Sequence, residues 1–98
     1  MFTGTAKICI HLQGVMTLKD KRRIVKSLIE RLKSRFNISA AEIDRLDNKR
    51  MAVIGFAVVS NDRTFTVSQL DTIMHFIYND GRFYVGDVKT DVFAFEEI

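Results

Sequence analysis

The hydrophobic pattern is most regular between Thr17 and Phe36, where apolar residues recur at helical spacing. At about 100° per residue they fall within one broad arc: Leu18, Ile24, Val25, Leu28, Ile29, Leu32 and Phe36. Thr17 followed by Asp20 is typical of a helix start, because both side chains can accept from free backbone N–H groups. Asn37, which tolerates a left-handed conformation, is expected to end the helix. Lys21 falls inside the apolar arc, so we expect either an overhanging first turn or a stem that lies on apolar surface while the ammonium reaches water.

Alternating and apolar segments elsewhere in the chain predict four strands. Residues 7–12 alternate between an apolar and a polar side, and residues 38–44 form a short strand. Residues 51–60 are apolar on both sides, as in a central strand, and Gly55 marks a bulge or a close approach. Residues 83–95 form the last strand, which is expected to break near Gly86.

A second helix is predicted to open at Asn61-Asp62 and to end at Asn79-Asp80, with Gly81 as the stop. One face of this helix is apolar: Val67, Leu70, Ile73, Met74, Ile77 and Tyr78. The order of elements is then β-α-β-β-α-β, which predicts a single α+β, ferredoxin-like domain over residues 1–98. Its four-stranded antiparallel sheet carries both helices on one face and leaves the other face for solvent, a ligand or a partner.

Composition limits the class of protein without naming it. With 98 residues, 47% hydrophobic and 28% charged, the chain has the balance of one ordinary globular domain. No apolar run approaches the roughly 20 residues of a membrane helix, and the N-terminus lacks the layout of a signal peptide. Cys9 is the one cysteine and cannot form an internal disulfide. We therefore expect a cytoplasmic protein without a membrane role.

Positive charge is concentrated on the first predicted helix. Residues 17–36 hold eight basic and two acidic side chains, a balance of +6, whereas the rest of the chain holds seven basic and ten acidic ones, a balance of −3. Five basic residues share the arc opposite the apolar one, with Glu30 as the only acid among them: Lys19, Arg22, Arg23, Lys26 and Lys33. Such an arc could contact the phosphates of RNA. Arg45, Lys49 and Arg50, in the turn between the second and third strands, could extend it. The alternative is a solvated face that keeps the protein in solution.

Five short blocks carry a resemblance to a known family. They are LKDKR at 18–22, KSL at 26–28, RFNIS at 35–39, AE at 41–42 and VSND at 59–62. These blocks resemble the YlxP-like family of uncharacterised bacterial proteins. The resemblance implies a small cytoplasmic protein with the ferredoxin-like fold, often encoded beside translation and ribosome-maturation factors. It therefore points to RNA or the ribosome as a partner, and brings no activity or binding residues with it.

The loop Gln13-Gly14-Val15, between a strand and a helix, suggests an enzyme hypothesis. It is similar to the phosphate loop of acylphosphatases, which share this fold and size. Leu18 stands where that family has its phosphate-binding arginine, and no matching asparagine follows on a later strand. Backbone N–H groups at the helix start, with Lys19, could still hold an anion. We assign no catalytic residue.

Two other sites are considered and not predicted. Cys9 and His11 lie on one strand face and could supply two metal ligands, but a structural zinc site normally needs four, so no metal or cofactor is expected. Base stacking on the open sheet face is also disfavoured, because the first strand offers Lys7, Cys9 and His11 without an aromatic ring. Phe56 is the only ring on the third strand.

The second helix suggests a protein partner. Phe65, Gln69, Thr72 and Phe76 form a stripe beside its apolar arc, and with the final strand they suggest a homodimer through a helix or a strand edge. The alternative is that Phe65 precedes the helix and Phe76 widens the core. The sequence thus supports a non-enzymatic accessory module that binds RNA or the ribosome. The alternative is a protein–protein interaction module or homodimeric scaffold with no nucleic-acid role, and a remote third is an acylphosphatase-like enzyme.

Overall fold

The computed structural model describes residues 1–95 and confirms the β-α-β-β-α-β order. The strands are β1 (Phe2–Leu12), β2 (Ser39–Asp44), β3 (Met51–Ser60) and β4 (Phe83–Ala94), and the helices are α1 (Leu18–Arg35) and α2 (Arg63–Tyr78). The strands pair antiparallel in the order β2-β3-β1-β4, so β1 and β3 are central and β2 and β4 are the edges. This is the ferredoxin-like α+β arrangement that the pattern predicts. Among the described residues, neither helix is long and apolar enough to cross a membrane.

The core lies between one face of the sheet and both helices. Every second residue of the central strands is buried there: Ala6, Ile8, Ile10 and Leu12 of β1, and Ala52, Ile54, Phe56 and Val58 of β3. The helices add Val25, Leu28, Leu32, Leu70, Ile73, Met74 and Ile77. Because the buried strand residues share one side of the pleat, both helices cover that side and the other face stays open. Phe56 therefore belongs to the core, and its ring is not on the open face.

β1 begins five residues earlier than the sequence pattern predicts. Its first residues pair with both β3 and β4, from Phe2 onward. The inward positions here are Gly4 and Ala6, so the apolar alternation that reveals a strand is weak. A Cβ at Gly4 would lie 2.7 Å from Cγ2 of Thr66, which means that α2 packs directly on the strand backbone. Small residues thus both hide this strand from the pattern and let the helix approach it.

The expected break near Gly86 is wrong, because β4 is continuous from Phe83 to Ala94, but its pairing is irregular there. The register of β1 with β4 shifts between Ile8 and Ile10, opposite the segment of β4 that contains Gly86. Gly55 is a close approach, since a Cβ there would lie 3.0 Å from Cδ1 of Ile43. Ile43 is itself the extra residue of an irregularity in the β2–β3 pairing.

The helix starts are as predicted and the end of α1 is not. Asp20 N–H donates to Thr17 Oγ1 at 3.1 Å. The expected left-handed stop at Asn37 is wrong, because α1 is capped by Phe36 in an extended conformation, with its N–H donating to Leu32 O at 2.9 Å. The ring of Phe36 packs edge-on against Phe76 at 5.6 Å between centroids, so the capping residue is also held by a side-chain contact with α2.

The apolar face of α2 is narrower than predicted. Asp62 caps the helix by accepting from Phe65 N–H at 2.9 Å, and Leu70, Ile73, Met74 and Ile77 are buried. Val67 and Tyr78 are instead exposed, by 51% and 57%. Thr66 takes the buried position at the helix start, where its hydroxyl bonds Asp62 O at 2.9 Å and Ser60 Oγ at 2.6 Å. A satisfied hydroxyl therefore occupies a place that the pattern reserves for an apolar residue.

Lys21 is fully buried, which corrects both expectations for it. Its ammonium lies 2.9 Å from Oε2 of Glu42 and donates to the carbonyl oxygens of Arg45 at 2.6 Å and Leu46 at 3.4 Å. Apart from this ion pair, Glu42 Oε2 has no hydrogen-bond partner within residues 1–95. The lysine thus joins α1 to β2 and to the turn that follows it, and its charge is neutralised inside the protein.

We predict that Lys21→Met destabilises the fold strongly, because it leaves a nearly buried carboxylate without its partner. Breaking a buried pair in this way costs about 3–5 kcal/mol. The double variant Lys21→Met/Glu42→Leu removes both charges and should recover much of that loss. Urea unfolding at neutral pH measures both free energies. A single variant as stable as wild type would show that the pair contributes nothing.

A second ion cluster fastens the end of α2 to α1 and β4. Arg82 binds Asp80 with two parallel bonds, Nε to Oδ1 at 2.6 Å and Nη2 to Oδ2 at 2.7 Å, and also donates to Ser27 Oγ at 3.0 Å. Arg31 reaches the same carboxylate at 3.2 Å. The hydrogen bonds from Arg82 lower the pKa of Asp80 below its ordinary 3.8, against the opposing effect of burial.

A carboxyl group whose pKa is lowered by folding stabilises the folded state at every pH above its ordinary, unfolded-state pKa. That stabilisation is lost as the pH falls through the lowered pKa of the folded state. We therefore expect Asp80→Asn to be less stable than wild type at pH 7, by about 1.5–3 kcal/mol for the lost bonds to a charged group. The difference should shrink on acidification below about pH 4. Urea unfolding of both proteins across this range measures it, and a difference independent of pH would contradict the assignment.

Candidate nucleic-acid interface

The structure sorts the eight basic residues of α1 into two sets. The first set, here called the basic arc, consists of the five predicted residues Lys19, Arg22, Arg23, Lys26 and Lys33, all of them exposed. Arg31 and Arg35 are exposed too, but they make contacts within the fold. Within residues 1–95 none of these five makes a salt bridge. From Lys19 to Lys33 the arc runs about 21 Å along the helix at 1.5 Å per residue. Five exposed cations on that length form a surface suited to a row of phosphates.

The remaining three basic residues of α1 serve the fold. Lys21 is buried against Glu42. Arg31 and Arg35 lie over the ring of Phe76, with guanidinium carbons 5.3 and 5.4 Å from its centroid. These cations therefore belong to packing contacts rather than to the basic arc. They also cover Phe76, so that ring contributes little to an exposed aromatic stripe on α2.

The turn between β2 and β3 lies at the same end of the molecule as the start of α1. The Lys21 ammonium holds the carbonyls of Arg45 and Leu46, and Leu12 N–H donates to Arg50 O at 2.8 Å. The three predicted extension residues, Arg45, Lys49 and Arg50, are all exposed. The buried lysine therefore places the turn beside the first part of α1, where the N-terminal half of the basic arc begins.

The conformation of this turn is set by short side chains and one strained residue. Asn48 Oδ1 accepts from the N–H groups of Arg50 at 2.8 Å and Met51 at 3.1 Å, and Asp44 Oδ1 accepts from Arg45 N–H at 2.7 Å. Arg45 has φ 60°, in the left-handed region. That conformation costs an L-residue with a long side chain roughly 1–2 kcal/mol. A strained arginine in an exposed turn is a reason to look for a binding role.

The loop before α1 has fewer groups available to bind an anion than its sequence suggests. Gly14 adopts φ 71° and is exposed, as is Gln13. The helix-start N–H of Asp20 already donates to Thr17 Oγ1. Leu18, at the position of the acylphosphatase arginine, is half-buried. One of the helix-start N–H groups that a phosphate at this loop could use is therefore already bonded.

The other candidate groups are placed as follows. Cys9 Sγ lies 3.8 Å from His11 Nε2, and among residues 1–95 no cluster of three or more metal-ligating side chains occurs. Phe65 falls within the first turn of α2 and is 52% exposed. It therefore remains a candidate contact for a protein partner, without support from Phe76.

Sequence reasoning missed an aromatic ring on the open sheet face. Tyr84 of β4 pairs with His11 of β1, and the two rings stack with centroids 4.9 Å apart and planes 11° from parallel. Base stacking is expected on the two central strands, whereas Tyr84 lies on the edge strand β4. Only the pairing register of β4 with β1, interrupted by the irregularity near Gly86, brings the two rings together.

Comparison with known proteins shows the family of this chain. The model of the family described as Protein of unknown function (DUF503) matches residues 3–90. The chain belongs to this family. It is 34% identical over 61 residues to the Uncharacterized protein YlxP of Bacillus subtilis (strain 168), a match that spans 62% of this chain and 66% of that protein. The matched residues 3–90 include the basic arc and the β2–β3 turn, and the family description gives them no role.

We predict that Arg45→Gly stabilises the protein by up to about 1 kcal/mol, because glycine adopts a left-handed conformation without strain. The bonds from Lys21 go to the backbone carbonyl of residue 45 and survive this change. Lys49→Gly is the matched control in the same turn, and it should destabilise the fold slightly. Thermal and urea unfolding compare the two variants. A loss of stability in Arg45→Gly would contradict the assignment of strain to this position.

Proposed function

We propose that this protein is a cytoplasmic, non-enzymatic accessory module that binds RNA, in free form or within the ribosome. The observation that carries the proposal is the basic arc, whose five exposed cations make no salt bridge within residues 1–95. In this proposal the arc contacts phosphates, and the apolar side of α1 holds it rigidly on the sheet. Contacts of this kind give affinity that depends on salt and little on sequence.

The β2–β3 turn extends the proposed contact. The turn that holds Arg45, Lys49 and Arg50 is bonded to the N-terminal part of α1 through Lys21, so one nucleic-acid strand that crosses this end of the molecule could meet both groups of cations. The left-handed Arg45 supports this role, since an easier residue for that backbone would lose the guanidinium. A guanidinium suits phosphate because its planar fork binds two oxygens at once.

The resemblance to YlxP-like proteins supports RNA rather than DNA as the ligand. Members of that family are often encoded beside translation and ribosome-maturation factors, which makes ribosomal RNA the first ligand to try. Structured fragments of ribosomal RNA and intact ribosomal subunits are therefore the probes of choice.

We predict that wild-type protein binds single-stranded RNA with a log–log salt slope near −3.5 when only the five cations of the basic arc contact phosphates, and with a steeper slope when the turn contributes as well. The variant Arg22→Glu/Arg23→Glu/Lys26→Glu reverses the middle of the arc and should bind far more weakly, with a shallower slope. Fluorescence anisotropy of labelled RNA, from about 50 to 200 mM salt, measures both quantities.

Two controls separate the arc from charge in general. The variant Arg22→Lys/Arg23→Lys/Lys26→Arg keeps every charge and should keep most of the affinity. Arg63→Glu reverses an exposed cation at the start of α2 and should change the slope little. If wild type and the triple reversal are equally inert at low salt, the proposal fails. If Arg63→Glu weakens binding as much as a reversal within the arc does, the arc is not the contact surface.

A homodimeric scaffold is the second candidate, and it is favoured by apolar exposure on α2. Phe65, Val67 and Tyr78 are exposed by 52%, 51% and 57%. An interface through these side chains would be nearly indifferent to salt, unlike a phosphate contact. Sedimentation of wild type and Phe65→Ser/Val67→Ser at several concentrations distinguishes the candidates. A dimer that persists at high salt and is lost in the variant would favour the scaffold.

A further inference from the structure

The open sheet face carries an aromatic platform near the basic turn. Tyr84 and His11 face each other across β4 and β1, and the tyrosine is 53% exposed. His11 pairs on its other side with Met51, the first residue after the turn that holds Arg45, Lys49 and Arg50. Two strand spacings, roughly 10 Å, therefore separate the backbone of Tyr84 from the end of that turn.

The orientation of the Tyr84 ring is held by its neighbours. A Cβ at Gly86 would lie 2.5 Å from His11 Nε2, so the imidazole fits only because residue 86 has no side chain. Cys9 Sγ lies 3.8 Å from the same nitrogen. Since His11 is confined and stacks on one face of Tyr84, the opposite face of the tyrosine is presented in a fixed direction. A ring fixed in this way loses little entropy when a base stacks on it.

Two lysines lie farther along the same face, four residues or roughly 13 Å from the platform on β1. Lys7 of β1 and Lys89 of β4 are directly opposite in register and both are exposed. Like charges directly opposite each other destabilise a sheet, and an anion bound between the two lysines would reduce their repulsion. With Arg45 they line a groove of about 360 Å³ on the open face. Asp44 and Asp87 line the same groove, and their negative charge makes non-specific attraction of polyanions to it weaker.

We propose that this face binds a single-stranded segment of RNA, with one base stacked on Tyr84 and a phosphate farther along the strand held by Lys7 and Lys89. The inference rests on the proposed RNA function and adds a second surface to it. α1 covers the other face of the sheet, so the basic turn lies between the two surfaces at one end of the molecule. Bound RNA would pass from the basic arc over the turn to the stacking platform.

The test uses the tyrosine as its own reporter. The chain has two tyrosines and no tryptophan, so in Tyr78→Phe protein all tyrosine emission comes from Tyr84. A single-stranded oligouridine of about 12 nucleotides, within the usual site size, should quench that emission on binding. The same strand made of abasic sugar-phosphates should bind through its charge and leave the emission unchanged.

Affinities of variants complete the experiment. Tyr84→Ala should weaken oligouridine binding by roughly 5- to 150-fold, and Tyr84→Phe should retain it, because the stacking ring is kept. Tyr78→Ala, at the other exposed tyrosine, is the matched control and should bind as wild type. Tyr84→Leu keeps apolar bulk without the ring and should also bind weakly, which separates stacking from any loss of fold in the alanine variant. Circular dichroism checks the fold of each protein.

The outcomes separate this inference from the function on which it rests. If binding remains salt-dependent and sensitive to reversal of the basic arc, while Tyr84→Ala binds as wild type and emission is unquenched, the platform is wrong and the RNA function stands. Equal quenching by the abasic strand would likewise overturn stacking. If wild type binds no RNA at any salt, both fail together.

Discussion

The buried ammonium of Lys21 determines how the parts of this molecule that carry charge are placed. It connects the first turn of α1 to Glu42 on β2 and to two carbonyls of the following turn. An uncompensated charge in that position would cost several kcal/mol, so helix, strand and turn are constrained to meet where the charge is neutralised. The basic arc lies on the other side of the same helix. One lysine turned inward thus fixes where the outward cations stand relative to Arg45, Lys49 and Arg50.

Much of the fold follows from the sequence because its signals are local. The bounds of β3, the caps at Thr17 and Asp62, and the irregularity at Gly86 follow from period, capping chemistry and missing side chains. The early part of β1 escaped notice because Gly4 and Ala6 occupy its inward positions. The end of α1 differs from the prediction because Phe36 takes the capping position, where its ring contacts Phe76 of α2, a residue far away in the sequence.

The features of the candidate site likewise fall into those that follow from a single element and those that depend on contacts between elements. Helical period alone identifies the basic arc, since its residues share one direction on one element. The burial of Lys21 depends on Glu42, which lies on another element. The helical pattern could therefore show only that a charged residue falls within the apolar arc. The neighbourhood of the turn and α1 follows from that contact. Tyr84 was out of reach for a related reason, because its meeting with His11 depends on the register of the first and last strands across an irregularity.

The long outer edge of β4 has a consequence for how the molecule behaves among copies of itself. Twelve residues of edge strand present unpaired backbone groups, a template onto which further strands could add without limit. Asp87, Lys89 and Asp91 place alternating charge along it, and the irregularity at Gly86 disturbs its straightness. Both features oppose regular strand addition, which would lead to fibrils. These features lower the tendency of the edge to recruit further copies in register, which favours access to the sheet face beside it.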